Sequence, residues 1–258
     1  MNRKAVNWSL GVGAPLLLVA LWWTLSSTST NTFFPPLSII LERFQALWLF
    51  DHFTSDVLLS LRNLLLGYAL ATVIGVGLGF IIALVPVARW VLDPLIHFFR
   101  GIPPVALVPI FISLIGFGVE MRLLSITLAA LFPTLIATVD GIRSVDSGLK
   151  DVSAVYRLTR REKMVQVYLP AAGPHIASGM QVSLQVAFIV MIASEMLGSS
   201  QGIGAMTLLA QQSFMISDMW AGILLLGIIG FAANLLFEII KNKVLAWYVG
   251  SKRLARTA

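Results

Sequence analysis

A strongly polar segment, residues 144–170, interrupts an otherwise apolar chain. Its sequence is SVDSGLKDVSAVYRLTRREKMVQVYLP, and residues 143–163 hold six basic and three acidic side chains, a net charge of +3. Three apolar residues recur there at helical spacing and predict a small apolar face ringed by charge: Leu149, Val152 and Tyr156. Such a face suits a groove on another protein. The alternative is a basic amphipathic helix that lies on anionic lipid.

The residue types that carry most enzyme chemistry are absent or scattered. The chain has no cysteine, which excludes disulfides, thiolate catalysis and cysteine-based metal sites. His52, His97 and His175 lie far apart in the sequence, without the spacing of metal ligands. No serine is placed to be activated by a histidine, and no phosphate-binding loop G-x-x-x-x-G-K-S/T occurs. The sequence therefore predicts no catalytic residue, metal site or cofactor on this chain.

Acidic residues are expected only at or beyond the ends of the spanning helices. The chain has 12 of them, and none is predicted at the middle of the membrane. A carrier driven by protons or sodium normally has ionisable groups at membrane depth to bind the coupling ion. The energy for any transport is therefore expected to come from another polypeptide.

Composition predicts an all-α integral membrane protein with about six transmembrane helices. Of the 258 residues, 58% are hydrophobic and 12% are charged, about half of the ~25% that is typical of soluble domains. Six apolar runs can cross a ~30 Å hydrocarbon core, the third only just: residues 10–25, 57–85, 103–117, 123–139, 171–196 and 220–240. A cleaved signal peptide is the alternative for the first run, but LSSTSTN has no convincing cleavage site.

The positive charges predict which side of the membrane each segment occupies. If the N-terminus is cytoplasmic, the inner segments hold all but three of the 18 Lys and Arg residues, and only Arg43, Arg62 and Arg122 fall outside. Lys and Arg collect in cytoplasmic loops because their translocation against the membrane potential is unfavourable. Both termini and the polar segment are therefore expected inside.

Small residues and prolines predict how the spans pack. The second span has a ladder at Ala71, Gly75, Gly79 and Ala83, which places small residues on one helix face and permits close approach of a neighbour. Pro109 and Pro133 fall inside the third and fourth spans. Each is expected to kink or break its helix, either as a simple bend or as a hinge beside a pathway.

Polar residues of the fifth span have two interpretations. Ser178, Gln181 and Gln185 follow one another at three- and four-residue spacing, so they share a helix face. They either hydrogen-bond to a neighbouring helix or line a substrate path. Three glycines just after this span predict a bent, re-entrant segment that protein must cover: Gly198, Gly202 and Gly204.

The polar segment resembles the cytoplasmic EAA loop of binding-protein-dependent ABC importer permeases, a pattern close to E-A-A-x-x-x-G followed after nine residues by I-x-L-P. Aligned on Leu169–Pro170, it puts Asp151 at the Glu position, with Val167 at the Ile position. Arg157 stands where the family has Gly, which affects the turn after the coupling helix. The resemblance implies coupling to an ATPase through the following residues: Asp151, Val152, Ser153, Ala154, Tyr156, Arg157, Leu158, Leu169 and Pro170.

The resemblance covers the chain from about Phe33 to the C-terminus and is strongest to the nitrate/sulfonate/taurine subfamily. Four further segments carry it: FFPPLSIILERF, SLRNLLLGYALATVIGVGLGFIIAL, RGIPPVALVPIFISLIGFG and ASEMLGSSQGIGAMTLLAQQS. It implies a type I ABC importer (MetI-like) permease fold. The expected divisions are a tail and first span at 1–28, an outer amphipathic segment at 29–56, a five-span core at 57–246 with its coupling loop at 141–170, and a basic cytoplasmic tail at 247–258.

The resemblance also implies how such a chain works. Two permease copies, expected to be identical, would line the path for a small solute such as a sulfonate, nitrate or taurine. A pair of ATPase subunits would bind ATP on the cytoplasmic side, and a periplasmic or lipid-anchored binding protein would deliver the solute. The chain would lie in the inner membrane of a bacterium, in contact with lipid and not with nucleic acid.

Glu195 resembles the family's Glu at the outer end of the fifth span, where it would join a gate or pair with Arg122. With Ser178, Gln181 and Gln185 it completes the predicted substrate path. Two other functions stay open from the residues alone. One is an ion-coupled secondary transporter or channel, and the other is a membrane scaffold without an ATPase of its own.

Overall fold

A computed structural model describes residues 3–248, and the side chains of residues 13–248. The predicted basic tail lies outside the described residues from position 249 onwards. Helices form in this order: α1 Arg3–Ser26, α2 Leu37–Ala46, α3 Leu58–Leu84, α4 Pro86–Arg100, α5 Val108–Ile115, α6 Val119–Arg143, α7 Ser147–Val155, α8 Arg160–Glu162, α9 Leu169–Gly198, α10 Ile203–Gln212 and α11 Ile216–Val244. Short π-helical turns extend α3 and α9 at their N-terminal ends, at Phe53–Val57 and Lys163–Tyr168. The described part contains no β-strand.

Four helical stretches of the described chain are long and apolar enough to cross a membrane: Phe53–Leu84, Val119–Arg143, Arg160–Gly198 and Ile216–Val244. They correspond to the second, fourth, fifth and sixth predicted spans. In α1 the part with described side chains, Gly13–Ser26, is a shorter apolar helix. The all-helical membrane fold is therefore confirmed.

The third predicted span is not one continuous helix. Residues 103–117 contain a 3-10 turn at Pro104–Leu107 and then α5, whose 8 residues rise only about 12 Å. This part of the chain forms a pair of helices, Pro86–Arg100 and Pro104–Ile115, bent by 90°, which has the form of either a broken span or a re-entrant loop. The break follows from the sequence Gly-Ile-Pro-Pro, because proline disfavours helical geometry in the residue before it. Pro109 lies in the first turn of α5, where no hydrogen bond is lost, so the break in this span lies before Pro109 and not at it.

Helices α3, α6 and α9 pack together as the centre of the molecule. The predicted small-residue ladder of α3 is confirmed, because Ala71, Gly75 and Gly79 are buried. A Cβ atom added at Gly75 would lie 3.1 Å from the Leu131 carbonyl oxygen, and one at Gly79 would lie 2.6 Å from the Thr138 Cβ. The backbones of α3 and α6 therefore approach so closely that no side chain fits between them.

The proline inside α6 is covered by a side chain from α9. Ser183 is fully buried; its hydroxyl accepts a hydrogen bond from the Thr134 N–H at 3.0 Å and donates one to the Ala130 carbonyl at 2.6 Å. These two backbone groups, at positions i and i−4, would otherwise bond to each other, so the hydroxyl is inserted into the helical ladder next to Pro133. The helix α6 continues through this proline as one element, Val119–Arg143.

The outer segment packs against the last helix. Leu37 and Ile40 of α2 are buried against residues of α11 that include Ala221 and Leu225. Arg43 joins the same two helices through a bidentate ion pair with Asp218, in which the distance from Nη2 to Oδ2 is 2.8 Å. This pair raises the pKa of Arg43 further above its ordinary value, and it holds α2 across the beginning of α11.

Replacing Gly79 with Ala tests the close packing of α3 on α6. The added methyl group overlaps Thr138 and should lower the free energy of unfolding by about 1–3 kcal/mol. Gly77 is the matched control, since nothing lies within 4 Å of an added Cβ there, and Ala is the better helix former by up to about 1 kcal/mol. Thermal unfolding of the purified variants in detergent measures both, and equal melting temperatures would contradict the packing described here.

Candidate functional site

The polar segment folds into a short helix with defined ends. Asp146 caps the N-terminus of α7 by accepting a hydrogen bond from the Gly148 N–H at 2.8 Å. At the other end the Arg157 N–H bonds to the Ala154 carbonyl at 2.9 Å and the Leu158 N–H bonds to the Ser153 carbonyl at 3.1 Å. These two bonds form a Schellman motif. The loop is therefore an ordered helix–turn unit.

Arg157 has the backbone conformation that usually requires glycine. Its φ is 52°, in the left-handed region that costs a residue with a Cβ about 1–2 kcal/mol. This is the position where the family pattern has Gly, and the Schellman motif explains why. The turn geometry is therefore kept in this chain, with arginine bearing the strain that glycine would avoid.

The predicted apolar face of α7 is exposed. The exposed fractions are 48% at Leu149, 53% at Val152 and 75% at Tyr156. Val155, which is not part of the predicted face, is more exposed than these three residues, at 80%. Ser153 is buried, and its hydroxyl donates a hydrogen bond to the Lys150 carbonyl at 2.6 Å. Contiguous exposed apolar residues of this kind mark an interaction site.

The loop leads directly into a long helix of the central bundle. After the turn, Thr159 and Glu162 form a capping box that starts α8. The chain then continues through the π-helical turn into α9, so that Arg160–Gly198 is one helical stretch of 39 residues. Leu169 and Pro170 are the first residues of α9. From Arg160 onwards the loop is therefore continuous with α9, without an intervening linker.

The four residues predicted for the substrate path are not brought together. Ser178 and Gln185 are exposed on α9, whereas Gln181 bonds to Asn234 at 3.1 Å and to Lys241 at 2.7 Å, both on α11. Gln181 thus holds two helices together. Glu195 is fully buried and lies ten residues further along α9 than Gln185, about 15 Å.

Glu195 belongs to a buried polar cluster at the break between α9 and α10. The first backbone amides of α10 each meet a buried side chain: Gly202 donates to Asp56 at 2.6 Å, Ile203 to Ser60 at 3.0 Å and Gly204 to Glu195 at 3.0 Å. Two acidic side chains near a helix N-terminus also interact favourably with the positive end of the helix dipole. The predicted bend after α9 is therefore present, and it is held by side chains of α9, of α3 and of the turn that leads into α3.

The proposed pairing of Glu195 with Arg122 is not seen. Arg122 is buried and donates to the Ser199 hydroxyl at 2.6 Å, and no ion pair between described residues joins it to Glu195. The sequence did not single out Asp56 as a site residue, because an acidic residue at the start of a predicted span normally lies at the membrane interface. Its partner His52, at 2.8 Å, is one helical turn earlier, and that spacing was the available signal.

The comparisons with known proteins agree with this architecture. The family model described as "Binding-protein-dependent transport system inner membrane component" matches residues 75–246. The chain is 30% identical over 249 residues to the aliphatic sulfonates transport permease protein SsuC of Bacillus subtilis (strain 168), covering 95% of this chain and 90% of that one. It is 26% identical over 251 residues to the taurine transport system permease protein TauC of Escherichia coli (strain K12), covering 93% and 90%.

A solved structure shares the fold. An inward-facing conformation of the MetNI methionine ABC transporter superposes with a TM-score of 0.60 at 16% identity, covering 74% of this chain and 93% of that chain. The central helices of the molecule therefore have the arrangement of an ABC transporter permease.

Replacing Arg157 with Gly should relieve the strain in the turn after α7. The gain is up to about 1 kcal/mol, which corresponds to about fivefold slower hydrogen exchange at the Leu158 amide. Arg157→Ala is the control, because it removes the guanidinium but keeps the Cβ and should leave the exchange rate unchanged. Exchange is measured by mass spectrometry on the peptide that contains Leu158. If Ala slows it as much as Gly, backbone strain is not the cause.

Replacing Gly202 with Ala should disrupt the buried cluster. Gly202 has a φ of 110°, and an added Cβ would lie 2.5 Å from the Glu195 Cδ. Gly116→Ala is the control that separates backbone strain from steric overlap. Its φ is also positive, at 89°, but nothing lies within 4 Å of an added Cβ. Gly202→Ala should cost about 1–3 kcal/mol more than Gly116→Ala, measured by thermal unfolding. Equal losses would mean that Glu195 does not pack on this glycine.

Proposed function

The chain belongs to the family of binding-protein-dependent transport system inner membrane components, and we propose that α7 docks on a separate ATPase to drive import of a small organic anion. Membership makes the chain the transmembrane permease subunit of an ABC importer. It weighs against the two alternatives, a secondary transporter and a scaffold, because neither uses a binding protein and an external ATPase.

The observation that carries the docking proposal is the exposed apolar face of α7. Val155 and Tyr156 are 80% and 75% exposed in a loop that is too charged to enter the hydrocarbon core. Burying such side chains in a groove yields about 1.5–3 kcal/mol each for residues the size of valine or phenylalanine. The ATPase is the partner that this family implies on the cytoplasmic side.

Charge around this face favours a protein over lipid. Asp151 is exposed next to Val152 on the same helix, and the exposed Asp146 caps its N-terminus. The net charge of +3 over residues 143–163 would attract anionic lipid headgroups, but the headgroups would repel these two carboxylates, whereas a protein groove can offer a cation to each. The coupling role of the loop extends through Arg157 and Leu158 to Leu169–Pro170, where α9 begins.

A second permease copy is proposed on the side where α9 is uncovered. His175, Ser178, Val182, Gln185 and Ile189 follow one another at spacings of three and four residues, and all are exposed. Polar side chains in a spanning helix normally face protein or a water-filled path rather than lipid. This stripe, with Ser178 and Gln185, would therefore face the path between two identical copies.

The proposed substrate is a small organic anion of the sulfonate type. The relatives reported above are named for aliphatic sulfonates and for taurine, and nitrate is the third class that the subfamily resemblance implies. A binding protein outside the membrane would select the solute and deliver it. Both termini and α7 are proposed to lie in the cytoplasm of a bacterium, in line with the distribution of Lys and Arg.

Charge on the docking face should uncouple the importer. Val155→Glu and Arg157→Glu are each expected to reduce solute uptake at least about tenfold, because a mismatched or buried unpaired charge costs several kcal/mol at an interface. ATP hydrolysis by the partner should persist at its basal rate. The measurement is uptake and hydrolysis in parallel, in proteoliposomes that hold the permease, the ATPase and the loaded binding protein.

Lys243→Glu is the matched control for this experiment. Lys243 is exposed near the end of α11, undergoes the same charge reversal, is proposed on the same side of the membrane and lies outside the loop. Its uptake should match that of the wild type. Normal uptake by both loop variants, with the ATPase present, would contradict docking through α7.

A further inference from the structure

A cavity of about 250 Å³ lies against α6, and none of the residues discussed for coupling or for the path belongs to its wall. It is bounded by the end of α4, the turn at Pro104–Leu107, α6 and one residue of α9. Arg100, the last residue of α4, lines it. Arg100 is itself exposed.

The cavity lies halfway along a spanning helix. Its α6 residues run from Ser125 to Ile136, about 16 Å at 1.5 Å per residue, and are centred on the midpoint of Val119–Arg143. The count of positive charges assigned Arg100 to the cytoplasmic side, because a hydropathy window treats it as the end of a loop. In the structure Arg100 is the last residue of α4 and lines a cavity beside the middle of α6.

Arg100 is a cation without a protein counter-charge. It is the sole ionisable residue in the wall of this cavity, and it takes part in none of the ion pairs between described residues. An arginine at this depth is costly unless it faces water or an anion. The guanidinium is planar and always charged, and it binds sulfonate-like or carboxylate groups through two parallel N–H donors.

The rest of the wall is apolar and restricts the kind of anion. Phe99, Leu128, Phe132 and Ile136 line the cavity around Arg100. A bare inorganic anion would lose its hydration here and gain only one charge contact. An anion with a short hydrocarbon body would gain the same charge contact and would also bury apolar surface.

A polar stripe on α4 leads to the cavity. Arg89, Asp93, His97 and Arg100 are spaced by four, four and three residues, so they share one helix face. Arg89 and Asp93 pair with each other at 3.2 Å, which leaves the end nearest the cavity without an acidic residue on this face. The stripe starts next to Pro86, where α3 turns into α4.

We propose that this cavity is a weak binding site for organic anions in the translocation path, with Arg100 holding the charged headgroup and the aromatic and aliphatic wall holding the body. The proposal rests on the proposed import function and adds to it a permease-level preference for one substrate class. Alkanesulfonates have the required chemistry, whereas nitrate lacks the apolar body.

The absence of cysteine allows a direct test on the permease alone, in nanodiscs of neutral lipid at low ionic strength. Leu128→Cys puts one thiol in the cavity wall. Its modification rates are compared for two methanethiosulfonates, the anionic 2-sulfonatoethyl and the cationic 2-(trimethylammonio)ethyl reagents. The ratio of the two rates cancels the reactivity of the thiol itself. Arg100→Gln in this background should lower the anionic-to-cationic ratio about tenfold or more, and Arg100→Lys should keep most of it.

Ser200→Cys, in the exposed turn before α10, is the matched control, and its ratio should not respond to Arg100→Gln. An unchanged ratio at position 128, or an equal fall at both positions, would overturn the proposal. Butanesulfonate should slow anionic labelling of Leu128→Cys, and sodium nitrate at the same concentration should not. Protection by nitrate as strong as that by butanesulfonate would overturn the assignment to organic anions.

This experiment and the proposed import function can fail separately. The labelling ratios need no ATPase and no binding protein, so they report on the cavity alone. Expected ratios together with absent uptake in the assembled importer would reject the import function and leave the anion site standing. Normal uptake with unchanged ratios would reject the anion site and leave the import function standing.

Discussion

The structure depends on one constraint: backbone groups inside a membrane must find their hydrogen-bond partners within the protein. Where a proline or a helix end leaves backbone groups without helical partners, polar side chains from other segments bond to the backbone. At Pro133 the hydroxyl of Ser183 is inserted into the helical ladder. At the start of α10, the side chains of Asp56, Ser60 and Glu195 accept hydrogen bonds from buried backbone amides that have no helical partner. Because the breaks are covered, α3, α6 and α9 can pack at backbone contact without exposing unpaired groups to lipid.

Helix α9 connects the two ends of this arrangement. Its 30 residues extend about 45 Å, from the loop that carries α7 to the carboxylate of Glu195 that holds α10. One helix therefore connects the loop that carries α7 to the buried cluster around Glu195. A rigid element of this kind can carry a displacement from one side of the membrane to the other, which is what import driven by a cytoplasmic ATPase requires.

Hydropathy and charge were sufficient to predict the four long spans, the small-residue face of α3 and the exposed face of α7, because these are local patterns. What they missed depends on contacts between distant segments. The position of Arg100 in the cavity wall follows from the 90° bend between α4 and the segment that contains α5. The burial of Asp56 follows from its contact with Gly202, 146 residues away. Arg157 shows the reverse case, since the family pattern predicts Gly and the chain keeps the glycine conformation with a different side chain.

The central claim is that α7 is covered by a separate ATPase. It is tested most directly by introducing Val155→Cys into this cysteine-free chain and measuring how fast a maleimide labels it, in the isolated permease and in the assembled importer. The account predicts rapid labelling in the isolated permease, because Val155 is 80% exposed, and strong protection once the ATPase is bound. Equal labelling rates in a complex that hydrolyses ATP and transports solute would contradict it.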